Sequence, residues 1–215
     1  KLRSGESIDL KRFEPQMRHL IDNYIDAEES RKVSSFGDLT LVDLVIKSGI
    51  STMINNLPEK TRKNQTTSAE TVESNVRKTL SEERPKDPEF FDKMSILLDE
   101  LILERKKDAS KYEQYLKDIE KLCKDIGNHF ADEKFPKKIN TKTRKVLYNN
   151  LENNENLVVK LDESILKNKP EGWKGHMIKE KMVKQIIEET LKKENIDDPD
   201  LVQKILDLAI NQDEY

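Results

Sequence analysis

Apolar residues recur at helical spacing along almost the whole chain, and that periodicity constrains the fold more than any other feature. Met17, Leu20, Ile21, Tyr24 and Ile25 fall on one face behind Pro15, which suits the first turn of a helix. The same i, i+3, i+4 rule groups Phe91, Met94, Leu98, Leu101 and Ile102, with Phe90 and Leu97 widening the face. It then groups Tyr112, Tyr115, Leu116, Ile119, Leu122, Cys123 and Ile126, and later Leu157, Val158, Leu161 and Ile165. Towards the end it links Ile178, Met182, Val183, Ile186, Ile187 and Leu191, then Leu201, Val202, Ile205, Leu206 and Ala209. No segment alternates with period two, and only 6 Gly and 7 Pro punctuate 215 residues, too few for a turn-rich sandwich or barrel.

Start and stop signals divide this pattern into helices. Asp38 or Thr40 can cap a short helix over about 39–48, and Gly49 can stop it in a left-handed conformation. A linker with Pro58, Lys60, Arg62 and Lys63 precedes a more polar helix carrying Ala69, Val72, Val76 and Leu80. Asp87-Pro88 and Asp198-Pro199 each pair an N-cap with Pro at the first helical position. Gly127 can end the Tyr112 helix, and Thr141 can cap one carrying Val146, Leu147 and Leu151. The expectation is an all-α, irregular bundle of about eight or nine helices. We read residues 1–215 as one helical domain, with a possible division into lobes 1–135 and 136–215.

Charged residues make up 38% of the chain, which raises the question of disorder. Two facts argue against it: 39 basic residues nearly cancel 42 acidic ones, and Leu, Ile, Val and Phe still form roughly a quarter of the sequence. The single Cys excludes an internal disulfide framework and a Cys-rich zinc site, and fits a reducing compartment. No apolar run reaches the roughly 20 residues needed to span a bilayer, so no membrane role is expected. The sequence opens on Lys1 without an apolar signal segment behind it, and reads as a piece of a longer protein.

Chemistry is sparse. No G-x-x-x-x-G-K-[ST] or G-x-G-x-x-G is present to cradle phosphates, so neither a motor nor a dinucleotide site is expected. Pro199-Asp200 has no Glu-x-Lys behind it and reads as a helix start. His19, His129 and His176 lie far apart; a helix-edge place suffices for the first, and capping or surface places for the others. Cys123 on an apolar face reads as a buried thiol. We therefore expect no catalytic, cofactor-binding or metal-binding residue.

Charge and one aromatic give the only positive signals. Lys134, Lys137, Lys138, Lys142, Arg144 and Lys145 run without an intervening acid and are candidate phosphate contacts, unless they are ordinary solvated faces. Lys174, Lys179, Lys181 and Lys184 follow, and after Glu194 the balance turns acidic. Trp173, between Gly172 and Gly175, is either an anchor into the core or an interface residue. With Lys174, Lys179 and Lys184 it makes up the candidate partner-binding set. The broad stripes of the last helices also leave surplus apolar surface for a partner.

Particular strings carry a resemblance. Asp9-Leu10-Lys11-Arg12-Phe13-Glu14-Pro15-Gln16-Met17-Arg18-His19-Leu20-Ile21-Asp22, with Tyr24-Ile25 and Ala27-Glu28-Glu29-Ser30, resembles the start of the C-terminal helical region of R subunits of type I restriction enzymes. Asp43 to Ile50, Glu70 to Arg77, Phe91-Asp92-Lys93-Met94-Ser95 and Leu147-Tyr148-Asn149-Asn150-Leu151 are similar too. Trp173-Lys174-Gly175 and Asn211-Gln212-Asp213-Glu214-Tyr215 complete the likeness, and the loop from about 127 to 138 departs from it most.

The resemblance implies an assembly module without chemistry of its own. It would dock a DNA-translocating, ATP- and Mg²⁺-dependent endonuclease subunit onto the methyltransferase and specificity subunits, in the cytoplasm of a bacterium or archaeon. None of the family's catalytic motifs matches a position here. The alternative is a helical domain contacting the backbone of duplex DNA through the basic run and the helix after Trp173.

Overall fold

The computed structural model describes residues 40–215; the helix expected behind Pro15, and the resemblance over residues 9–30, lie outside them. The all-α expectation holds: these residues form ten α-helices and two short 3₁₀ turns, and no strand is found among them.

Local chemistry sets most of the boundaries. Thr40 opens α1 (Leu41–Ser48) with a reciprocal capping box, its hydroxyl accepting from Asp43 N while Asp43 accepts from Thr40 N. Gly49 ends α1 and starts α2 (Ile50–Asn55) at φ 78°, a backbone that favours glycine. The segment expected as a linker is thus shaped into α2 and α3 (Glu59–Arg62). Asn64 caps α4 (Gln65–Glu83), Asp87 caps α5 (Pro88–Lys107), and α6 covers Tyr112–Gly127.

Gly127 differs from expectation. It lies inside the last turn of α6, and a Cβ there would come within 2.6 Å of Ile46 Cδ1. Its role is to let α1 cross α6 closely rather than to stop the helix. Thr141 caps α7 (Lys142–Asn150) and Asn154 caps α8 (Glu155–Asn168). The chain closes with α9 (Met177–Lys193) and α10 (Pro199–Ile210), the latter capped by Asp198.

The stripes close over two hydrophobic cores. In the first, α1, α4, α5 and α6 pack in a cycle around Val45, Val72, Val76, Leu98 and Ile119, with α2 added on α6. In the second, α7, α8, α9 and α10 form another cycle around Leu147, Leu161, Ile165, Ile187 and Ile205. Each fully buried aliphatic side chain contributes about 1.5–3 kcal/mol relative to exposure.

One buried ion pair lies in the first core. Arg105 Nε donates to Glu73 Oε1 at 2.8 Å, and the Tyr115 hydroxyl donates to the same oxygen at 2.8 Å. Burial, then the Glu73 carboxylate, pushes the Tyr115 phenol far up.

The cores meet where α5 touches α7, and the joint is polar. Asp87 is fully buried there. It caps α5 through Phe90 N and accepts from Asn149 Nδ2 and Asn150 Nδ2, both at 2.7 Å. His129 Nε2 lies 2.8 Å from Oδ2, the oxygen that also accepts from Asn149, and since a carboxylate only accepts, Nε2 carries the proton. The imidazole is stacked between Phe90 and Phe130, with centroids 3.7 and 4.0 Å away. Gln212, past the end of α10, donates to Lys86 O at 2.8 Å and ties the chain's last residues to the same joint.

Candidate interaction surface

The basic run does not reach solvent as a unit. Lys145 is buried, and its ammonium donates to Phe130 O at 2.7 Å and pairs with Asp132. Arg144 Nε donates to Asp162 Oδ2 at 2.6 Å, while its Nη1 donates to Lys138 O. Asp162 is itself buried and accepts from the Tyr215 hydroxyl at 3.0 Å. Two of the six candidate phosphate contacts are therefore engaged in bonds within the chain. Burying the Lys145 cation is tolerable because a carbonyl and a carboxylate both accept from it. Lys138 keeps a loose 3.8 Å pair with Glu155. Lys134, Lys137 and Lys142 are exposed and form no ion pair among the described residues.

The partner-binding candidates are similarly engaged. Trp173 is 2% exposed and packs in the second core, the placement that an anchoring role requires. A ring so enclosed offers no contact area to a partner in this conformation. The Lys174 ammonium donates to Gln212 O and sits over the Trp173 ring. Burial, then the nearby Lys169 ammonium, lowers the Lys174 pKa, with the Asp213 carboxylate opposing them. Lys179 donates to Glu171 O at 2.6 Å, and Lys184 donates to Gln203 Oε1 at 2.7 Å. These lysines fasten the loop over residues 169–176 and the α9–α10 contact.

Part of the exposed apolar surface is on α9. Its buried face carries Val183, Ile187 and Leu191, whereas Met177, Ile178 and Met182 are 72%, 68% and 48% exposed. Ile178 and Met182, expected in the inward stripe, thus belong to a second face. The reason is angular: at 3.6 residues per turn Ile178 and Met182 lie about 180° and about 140° around the helix from Ile187, on the side turned away from the core. Lys181 is exposed within the same patch. Three large apolar side chains inside six residues form a patch rather than scattered exposure.

The remaining candidates have structural places. Cys123 is buried, and desolvation pushes its thiol up to about 12, so it is inert as a nucleophile. His129 is neither a loop-surface nor a capping residue, because Asp87 and two phenyl rings enclose it. No spacing rule in sequence links residues 42 apart. His176 precedes α9 and is exposed without capping it. A cleft of about 630 Å³ lies beside the joint, lined by Glu89, Lys93, Asn149, Asn153 and Lys204, among others, and carries no Ser, Cys or His. Among the described residues no group of His, Cys, Asp and Glu is arranged to hold a metal ion, and no helix is long and apolar enough to cross a membrane. Comparison with family models, with curated proteins and with solved structures gives no match to this chain.

Proposed function

We propose that the chain is a helical assembly module, in the manner of the C-terminal region of type I restriction R subunits, and that it docks through the exposed face of α9. In this reading the chain performs no chemistry. It holds a DNA-translocating endonuclease subunit on a methyltransferase–specificity core. The observation that carries the reading is the Met177, Ile178 and Met182 patch, placed just after Trp173-Lys174-Gly175, one of the strings that carry the resemblance. Covering three such side chains would contribute several kcal/mol, at about 1.5–3 kcal/mol each. The buried Trp173 and the engaged Lys174 and Lys179 support it by fixing the loop from which α9 projects. The test is pull-down of a methyltransferase–specificity core by the wild-type chain and by Met177→Asp/Ile178→Asp. Both positions are exposed, so the substitutions spare the cores.

Contact with duplex DNA is the second reading. It rests on Lys134, Lys137 and Lys142, exposed and without ion pairs among the described residues, with Lys138 only loosely held. Salt titration tests it, because each phosphate contact adds about −0.9 to the slope of log K against log salt.

A further inference from the structure

A groove of about 230 Å³ runs between α5 and α6, away from the α9 patch, and its chemistry is of one kind. Its floor is Leu97, Leu101 and Leu122. Leu97 is 44% exposed, although folding would favour its burial, and Leu101 is half-buried. The rim is acidic: Glu100 and Glu104 on α5 face Asp118 and Asp125 on α6, with Lys121 the one basic lining residue. None of the four carboxylates forms an ion pair among the described residues, although many other carboxylates on these helices do, Asp92 with Arg84 and Asp99 with Arg77 among them. Asp118 accepts only from the Gln114 side chain.

Outside the groove α5 stays apolar, with Ile96 and Leu103 largely exposed. At 3.6 residues per turn, Ile96, Leu97, Glu100, Leu103 and Glu104 occupy about one third of the helix circumference. An apolar strip held between unneutralised carboxylates is complementary to a helix bearing an apolar stripe flanked by Lys or Arg. It would repel an acidic partner.

We propose that the α5–α6 groove is a docking site for a basic amphipathic helix of another protein, whose apolar residues at i, i+3/i+4 and i+7 cover Leu97 and Leu101 while its lysines or arginines meet Glu100, Glu104, Asp118 and Asp125. The proposal is independent of the α9 reading, since the two surfaces share no residue.

The probe is a synthetic fluorescent peptide about four helical turns long, with leucines at that spacing and lysines on both flanks. Controls are a scrambled peptide of the same composition and one with glutamates in place of the lysines. Anisotropy titration of the chain should show saturable binding of the first peptide and binding at least about tenfold weaker for both controls. Glu100→Lys/Glu104→Lys and, separately, Leu97→Ser should each weaken binding at least about tenfold, with unchanged circular dichroism. Equal binding of the ordered and scrambled peptides would reduce the effect to bulk charge attraction and overturn the proposal. So would absence of saturation, or indifference to both variants. Leu97-dependent self-association of the chain without peptide would make the occupant a second copy and overturn it equally.

Discussion

Replacing Asp87 by Ala removes a carboxylate that serves two helices and the turn after α6 at once, and the structure sets the size of the effect. The loss of the N-cap on α5 costs about 1 kcal/mol. The His129 N–H, buried between two rings, is left without an acceptor, at about 1–3 kcal/mol. Asn150 keeps its second bond to Val146 O at 2.9 Å, and Asn149 is half-buried, so water can replace its partner. The sum is a loss of about 2–4 kcal/mol, a large share of the roughly 5–15 kcal/mol typical of a folded domain. Asp87→Asn retains one carbonyl oxygen as acceptor but turns an amide towards other donors, and should cost less than the alanine. Urea unfolding followed by circular dichroism reads both. Because the joint couples two cores, Asp87→Ala should also broaden the transition and lower the apparent m-value. A loss under about 1 kcal/mol, or an asparagine as damaging as the alanine, would refute the view that this carboxylate holds the cores together.

Breaking the pair in the first core with Glu73→Ala should cost about 3–5 kcal/mol, because it leaves a buried guanidinium uncompensated; Glu73→Leu/Arg105→Met should recover most of it, and urea midpoints of the three proteins check this. Trp173→Ala should destabilise the fold by about 3–5 kcal/mol, while the fraction still folded keeps its partner binding, as read by a urea midpoint and a pull-down on the same variant. Glu214 gives a pH dependence. Burial pushes its carboxyl up, but Thr143 N at 2.9 Å and Lys142 N outweigh that and hold it below its ordinary 4.5. A depressed carboxyl contributes stability that is full above the unfolded value and lost as pH falls through the folded one. Lowering pH from about 6 to about 3 should therefore cost wild type more than Glu214→Gln, by urea midpoints at the two pH values. On duplex DNA the basic run offers four lysines rather than six basic residues, so its share of the salt slope should not exceed about −3.6.

Much of the fold can be read from the sequence, because caps and periodicity are local. Asp87-Pro88, Thr141 and Asp198-Pro199 open helices as their chemistry requires, and Val183, Ile187 and Leu191 face a core as their spacing requires. What covers a face is not local. Ile178 and Met182 fall in the same apolar run as Val183, yet they lie on the far side of α9 from Ile187, and only the packing shows which side is covered. The same holds for charge: Arg144 and Lys145 look like Lys134 and Lys137 until Asp162, 18 residues from Arg144, and the Phe130 carbonyl are brought to them. Polar clusters were the least legible. Glu73, Arg105 and Tyr115, like Asp87 and His129, come from different helices or loops, and a residue's partner at such separations has no signature in spacing.

The assembly reading is tested most directly by titrating this chain onto a methyltransferase–specificity core with the α9 patch intact and with Met177→Asp/Ile178→Asp. The account predicts a stoichiometric complex with wild type, nearly insensitive to salt because apolar contact dominates it, and binding at least about thirtyfold weaker for the double variant at unchanged helicity, the loss expected when a hot spot worth about 2 kcal/mol is removed. Equal binding by both proteins, or no complex with the wild-type chain, would contradict it.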